Sequence, residues 1–248
     1  MAMNSFSEKV PGLYYLNEDG GDIIWLIPGE TSALLVDTGF GKYDLTAKVR
    51  EITDKPLILV NTHLHPDHAL GNGQFSRAYC SPADLPLLSW LRQMNPDFLG
   101  SCEMIPVQER YRFDLGGSTI EVIDVPGHTP GSIGLLWVER RILLIGDAAN
   151  EQIWMHLNHS TPLSMFAETM QKLAGMTDRF DVLYTSHGES GITYTPDLFE
   201  KLAARAYAVA RGEKTGAPAK MHLGHEAMLY MEDGVGFYYN PQNLTPTN

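Results

Sequence analysis

The sequence predicts a layered α/β protein, and three observations carry that expectation. Between residues 32 and 60 an apolar run of strand length, a helix-periodic segment and a second apolar run follow one another. Further on, short apolar runs keep ending in turns that hold a histidine or an aspartate. No low-complexity linker and no short internal repeat divides the 248 residues, so residues 1–248 read as a single domain.

Composition narrows the function classes. With 44% hydrophobic and 19% charged residues, the chain has ample material for a core. A formal net charge of −12 argues against a nucleic-acid partner, whose binding relies on neutralising phosphates, although bound divalent ions would reverse the sign locally. Cys80 and Cys102 form neither a zinc-type spacing nor a disulfide framework and read as free thiols in a reducing compartment. Met1 to Val10 lacks the apolar core of a secretory signal, and no apolar run reaches the roughly 20 residues needed to span a bilayer. The expectation is a cytoplasmic protein with no membrane partner.

In chain order, Gly12–Leu16 and Asp22–Ile27 read as strands joined by the turn-rich Asn17 to Gly21. Ser32–Val36 is a third strand. It stops at Asp37-Thr38-Gly39-Phe40-Gly41, where an aspartate followed by glycines reads, on its own, as a turn device. Lys42–Ile52 places Leu45, Val49 and Ile52 on one helical face; Lys55-Pro56 stops it, and Leu57–Val60 is the next strand. Pro82–Met94 reads as a helix, Asn95–Glu103 as a loop able to overhang a site, and Thr119–Val125 as a strand. A hairpin is expected from Gly134–Val138 and Ile142–Ile145, then a strand at Val182–Thr185. Helices are expected at Pro162–Leu173 and Asp197–Arg211, and a closing hairpin at Glu226–Met231 and Val235–Tyr239 about Asp233-Gly234.

The chemistry concentrates in Asn61-Thr62-His63-Leu64-His65-Pro66-Asp67-His68, directly after an apolar strand. Imidazoles and a carboxylate this close together are the ligand set of zinc and similar divalent ions. In an extended chain His63 and His65 project to the same side. Pro66 suits the first position of a helix, whose opening turn would carry Asp67 and His68 toward a second ion. Three more strands end in such residues: His128 in Gly-His-Thr-Pro-Gly-Ser, Asp147 in Gly-Asp, and His187 before Gly188. Each is weak alone; their shared position after strands makes them candidate ligands, because loops on one rim of a sheet are where sites are built.

These segments, with Asp37 in Val-Asp-Thr-Gly, resemble the five signatures of the metallo-β-lactamase-fold hydrolases, and the resemblance runs from Asp37 to His187. It implies a four-layer αββα sandwich with the site on one edge between the two sheets. It implies that His63, His65 and His128 hold one ion, that Asp67, His68 and His187 hold the other, and that Asp147 bridges both. Asp37 would then stand behind the ligands and order the cluster's loop, which replaces the plain-turn reading.

Two close cations, most suitably Zn2+ with Mn2+ or Fe2+ as alternatives, would turn a shared water into a hydroxide nucleophile and stabilise the oxyanion, with Asp67 orienting the nucleophile and moving a proton. An aspartate at 147, where true β-lactamases usually have Cys or Ser, resembles the glyoxalase II, lactonase, esterase and phosphodiesterase branches. Lys201, Arg205 and Arg211 are too few and scattered for a glutathione-binding region, and His65 stands where oxygen-reducing members commonly carry Glu. The expected function is hydrolysis of an ester, thioester or lactone of a small metabolite. The alternatives are a phosphodiester or phosphotriester hydrolase on the same site, or a non-hydrolytic redox or metal-dependent binding protein. Trp154, His156 and His159, in a segment expected to border the pocket, are candidate substrate contacts; His222 and His225 read as structural or exposed.

Overall fold

The computed structural model describes residues 5–18, 21–188, 191–221 and 226–246; His222 and His225 lie outside them. The first half of the chain builds one sheet. Its strands β1 (Ser7–Val10), β2 (Leu13–Glu18), β3 (Asp22–Pro28), β4 (Ala33–Val36), β5 (Leu57–Val60), β6 (Arg77–Cys80) and β7 (Glu103–Pro106) lie side by side in sequence order. A second sheet holds β8 (Arg112–Asp114), β9 (Thr119–Asp124), β10 (Ile133–Trp137) and β11 (Ile142–Gly146). After β12 (Gln152–Met155), which leaves for a third sheet, β13 (Val182–Thr185) and β14 (Thr193–Tyr194) complete the second.

The period-two alternation of buried strands sorts their side chains into separate cores. On β3, Ile23, Trp25 and Ile27 face the space between the sheets, where they meet Ile120, Val122, Leu135 and Leu144. Ile24 and Leu26 point the other way, with Leu35 and Leu59, onto Leu45 and Val49 of the helix α1 (Leu45–Arg50). Strand β11 is buried along its whole length because both faces are covered. Its Ile142 and Leu144 enter the inter-sheet core, while Leu143 and Ile145 meet α4 (Leu163–Ala174) and α5 (Asp197–Ala210). Helix, sheet, sheet, helix is therefore the layer order, the αββα sandwich that the sequence resemblance implies.

The short α2 (Pro66–Ala69) and α3 (Leu88–Met94) share a smaller core, in which Ala69 and Leu91 meet Leu64, Cys80 and Phe98. Three elements differ from expectation for identifiable reasons. Helix α1 starts at Leu45 rather than Lys42: the buried Glu18 carboxylate accepts from the Phe40 and Lys42 N–H groups, and Asp44 then caps the helix by accepting from Ala47 N–H. The segment Pro82–Met94 divides into a 3-10 helix, Pro82–Leu87, and α3, because Pro86 lacks the N–H that a continuous α-helix requires. The segment from Asn95 is the expected loop only as far as Cys102, with Phe98 buried against Leu64 and Leu91, and Glu103 already belongs to β7.

The closing hairpin of β16 (Glu226–Glu232) and β17 (Val235–Tyr239) forms as expected, with Asp233 and Gly234 at φ 48° and 76°. Together with β12 and β15 (Ala217–Lys220) it makes a four-stranded sheet that the sequence reading did not foresee. Phe237 and Tyr239 of β17 join Ile153 and Met155 of β12 against α4 and α5. Among the described residues, no helix is long and apolar enough to cross a membrane.

Candidate metal centre

Strand direction brings the site together. Strands β4 and β5 run parallel, β10 is antiparallel to both β9 and β11, and β11 is parallel to β13. The C-terminal ends of β4 and β5 thus share one edge of the first sheet, and those of β9, β11 and β13 share one edge of the second. Asp37, the cluster 63–68, His128, Asp147 and His187 are the residues just beyond those ends. Pro66 opens α2 with His65 as its N-cap, so Asp67 and His68 turn back on the first helical turn.

Among the described residues two groups form whose ligating atoms lie within 4.8 Å of one another: His63, His65 and His128 in one, and Asp67, His68, Asp147 and His187 in the other. In the first group His128 Nε2 lies 2.9 Å from His65 Nδ1. In the second, His187 Nε2 is 2.8 Å from Asp147 Oδ2 and 3.6 Å from Asp67 Oδ2, and His68 Nε2 is 3.4 Å from Asp67. Asp147 stands between the groups, 3.7 Å from His68 Nε2 through Oδ1 and 3.8 Å from His128 Nε2 through Oδ2.

Three of these atoms, His63 Nε2, His68 Nε2 and Asp147 Oδ1, are buried with no hydrogen bond. A buried polar atom without a partner is costly, and inward-facing lone pairs of this donor set fit a divalent ion.

Each imidazole has its far nitrogen engaged, which aims the near one inward. Asp37 Oδ2 holds His68 Nδ1 at 2.8 Å, and Asp22 Oδ1 lies 3.2 Å from His187 Nδ1. His128 Nδ1–H donates to the Trp154 carbonyl at 2.8 Å, and His63 Nδ1 lies 3.1 Å from Thr62 Oγ1. His65 Nε2 lies 2.5 Å from His159 Nε2. Asp37, with φ 65° in the left-handed region, also accepts from Thr62 N–H and Oγ1–H, so it serves as turn and as support at once.

Asp84 was not among the sequence candidates. Its buried carboxylate accepts from Leu64 N–H, Thr129 Oγ1–H and Gly131 N–H, which fastens the 63–68 segment to the 128–132 turn. A Cβ on Gly131 would sit 2.5 Å from Asp84 N, so only glycine permits that approach. Asp84 does follow a strand, but β6 is too short and mixed in character to be read from sequence. Asp22 begins a strand instead of ending one, so no strand-end pattern marks it.

The two groups differ in charge. Burial, then the neighbouring imidazoles, hold His63 well below the ordinary histidine range, and burial also pushes His65 well down. Burial acts the same way on His68, but Asp67, Asp37 and Asp147 outweigh it and hold that imidazolium well above the usual value. For His187 burial is likewise overcome, chiefly by Asp147, and the value rises to about 10. Asp147 itself is held below the carboxylate range because His187 and His68 outweigh its burial. In the protein alone, protons on His68 and His187 balance the carboxylates that an ion would otherwise balance.

The candidate substrate contacts separate. Trp154 turns its side chain outward, 40% exposed, beside a cavity of about 260 Å3 lined by Gln152, Lys220, Met221 and Tyr238. His156 is buried with its ring 5.6 Å from Trp154 and 5.9 Å from Tyr238. His159 lies against His65, with Trp90 packed on both rings.

The model of the Metallo-beta-lactamase superfamily matches residues 19–196. A human protein named acyl-coenzyme A thioesterase MBLAC2 is 26% identical over 190 residues, covering 63% of this chain and 68% of that one. A hydroxyacylglutathione hydrolase of Hyphomonas neptunium is 30% identical over 138 residues, covering 54% and 48%. In structure, a beta-lactamase domain protein from Burkholderia ambifaria superposes with a TM-score of 0.67 at 18% identity, covering 85% of this chain and 77% of the other. With the matched span containing both groups of ligating atoms, the chain belongs to the metallo-β-lactamase superfamily.

Proposed function

We propose that this protein is a dinuclear metal-dependent hydrolase that cleaves an ester, thioester or lactone of a small metabolite. The observation that carries the proposal is the adjacency of the two groups, whose inward-facing atoms His63 Nε2, His68 Nε2 and Asp147 Oδ1 are buried without hydrogen bonds. His63, His65 and His128 would hold one ion, Asp67, His68 and His187 the other, and Asp147 would bridge. Zinc suits these donors, and Mn2+ or Fe2+ are accepted by the same set. Divalent ions held there would supply an acidified water and a Lewis acid for a carbonyl oxygen.

The chain's own contribution is orientation and proton handling. Asp67 and His187, at 22% and 34% exposure, are the most open of the seven side chains, so substrate approaches from their side. Asp67 can accept a proton from an attacking water and return it to the leaving group. Asp37, Asp22, Thr62 and the Trp154 carbonyl engage the far nitrogens of four imidazoles and so hold the rings in place. The acyl-transfer reading is supported by the names of two relatives, both of which describe removal of an acyl group from a thiol-bearing carrier.

The test is metal analysis of protein prepared without chelators, together with rates on p-nitrophenyl acetate, a homoserine lactone, a glutathione thioester and bis-p-nitrophenyl phosphate. Two equivalents of metal per chain and turnover of an acyl substrate are expected, with Asp67→Asn lowering kcat by about 10²–10⁴-fold and His128→Ala abolishing hydrolysis. Less than half an equivalent of metal would sink the proposal. Faster turnover of the phosphodiester than of every acyl compound would move it to the phosphodiesterase branch.

A further inference from the structure

His159 is unlike the other groups that support the candidate ligands. His68 and His187 are backed by carboxylates, His63 by a hydroxyl that itself leans on Asp37, and His128 by a backbone carbonyl. Only His65 is backed by another imidazole, with the two Nε2 atoms 2.5 Å apart. His65 is the N-cap of α2, and its side chain makes no capping hydrogen bond that would fix the ring.

The segment carrying His159 is anchored on several sides. Ser160 Oγ–H donates to the His128 carbonyl at 3.0 Å, and Thr161 N–H donates to the Gly127 carbonyl at 2.9 Å. Asn243, near the end of the described chain, donates from its side-chain amide to the carbonyls of Ser160 and Thr161. From the other side Trp90 of α3 packs its ring 5.7 Å from His65 and 5.4 Å from His159. The imidazole pair is thus held between an indole and a segment pinned to the His128 turn.

We propose that His159 is a positioning residue for His65: it accepts the Nε2–H of His65, leaves the Nδ1 lone pair facing His63 and His128, and so sets the metal affinity of the three-histidine group selectively. The proposal rests on the dinuclear reading above. The geometry follows from the pairing itself, since His65 Nδ1 faces His128 Nε2 at 2.9 Å while Nε2 faces His159. A neutral imidazole is a weaker acceptor than a carboxylate, so His65 stays a less electron-rich donor than His68 or His187. The three-histidine group has no carboxylate of its own and would share only the bridging Asp147, while the other group carries two aspartates. His159 therefore preserves the asymmetry between the two groups.

The experiment compares wild type, His159→Ala and His159→Gln, each stripped of metal and titrated with zinc against a chromophoric chelator. Histidine ring 1H–15N spectra of the zinc-loaded proteins identify which imidazoles are affected. In His159→Ala one equivalent should bind about 10–100-fold more weakly, the usual effect of losing such a support, while the other stays within threefold. The His65 Nε2 proton, slowly exchanging in wild type, should exchange too fast to be seen. His159→Gln, whose amide oxygen can accept the same proton, should recover most of the affinity and the resonance. A general packing defect would weaken both equivalents and would not be rescued by Gln; that result, or unchanged affinity with the His65 proton retained, overturns the proposal. If wild type itself binds less than half an equivalent, the dinuclear reading fails and this inference falls with it. Two equivalents on both wild type and His159→Ala, with equal affinities, would sink only the role of His159.

Discussion

Asp37 Oδ2 lies 2.8 Å from His68 Nδ1, and both side chains are 1% exposed. The same carboxylate takes the Thr62 N–H and hydroxyl, so one aspartate past the end of β4 orients His68 directly and His63 through Thr62. Asp37→Ala removes the acceptor for three buried donors and should lower stability by at least roughly 2 kcal/mol. Asp37→Asn, which keeps one oxygen, should cost less. Zinc affinity should fall in both, by about 10–100-fold for Asp37→Ala. Chemical denaturation of stripped protein and a competition titration measure the two effects; wild-type zinc affinity in Asp37→Ala would refute the support role.

Asp84 makes an independent prediction, because it touches neither group of ligating atoms. With its carboxylate gone, Leu64 N–H, Thr129 Oγ1–H and Gly131 N–H lose their shared acceptor in a buried place. Asp84→Ala should destabilise by about 2–4 kcal/mol. Because the clamp joins the 63–68 segment to the 128–132 turn, zinc affinity of the three-histidine group should fall more than that of the other. Equal loss in both groups would mean that Asp84 supports the fold and not the register of the two loops.

Gly146 immediately precedes Asp147 with φ 56°, and a Cβ there would meet Thr62 side-chain atoms at 2.9 Å. Gly146→Ala therefore meets two penalties, a left-handed backbone and a clash with the residue that links His63 to Asp37. A loss of about 1–3 kcal/mol is expected from the backbone alone. Thermal unfolding of the variant checks this, and an unchanged midpoint would contradict it.

The pH dependence of the stripped protein follows from His187, raised to about 10 from an ordinary value of 6.5, chiefly by Asp147 against the effect of burial. The folded state binds this proton more tightly than the unfolded state does. Its stabilisation is therefore complete below about pH 6.5 and is lost as pH rises toward 10. His68, also raised, acts in the same direction. Urea midpoints at pH 6, 8 and 10 should fall more steeply for stripped wild type than for His187→Gln. Zinc should flatten the trend, since binding displaces these protons. A wild-type midpoint that climbs over this range would contradict the assignment.

Cys80 and Cys102 are both free, as the sequence implied; both are also buried, and burial pushes the Cys80 thiol up to about 12. At pH 8 a thiol reagent should therefore leave Cys80 unmodified until the protein unfolds. Rapid labelling of folded protein at Cys80, read by peptide mass, would contradict its burial.

Much of the candidate site was legible because local chemistry marked it. His63, His65, Asp67 and His68 occupy six positions, and Pro66 announces the turn that redirects the last two. His128, Asp147 and His187 were found by one rule, a ligand-type residue just past an apolar strand. That rule missed Asp22, which precedes its strand, and Asp84, whose strand β6 has the unremarkable composition Arg77-Ala78-Tyr79-Cys80. Helix starts were misplaced where a distant side chain took over the backbone, as Glu18 does at Phe40 and Lys42.

The sequence by itself determined the layered α/β class, the identity of the seven candidate ligands and their division between strand ends. These follow from apolar periodicity and from residue types that packing does not explain. Apart from Asp37, which the resemblance already places behind the ligands, and Thr62, the neighbour of His63, only the tertiary structure decided what stands behind the imidazoles, because Trp154, His159 and Asp22 come from at least 26 positions away and are chosen by which loops the sheets bring together. The same holds for His159, which sequence placed beside a substrate and the fold places on His65. It holds too for Trp154, whose carbonyl meets His128 while its side chain faces out, since a strand's backbone and side chains serve different neighbours.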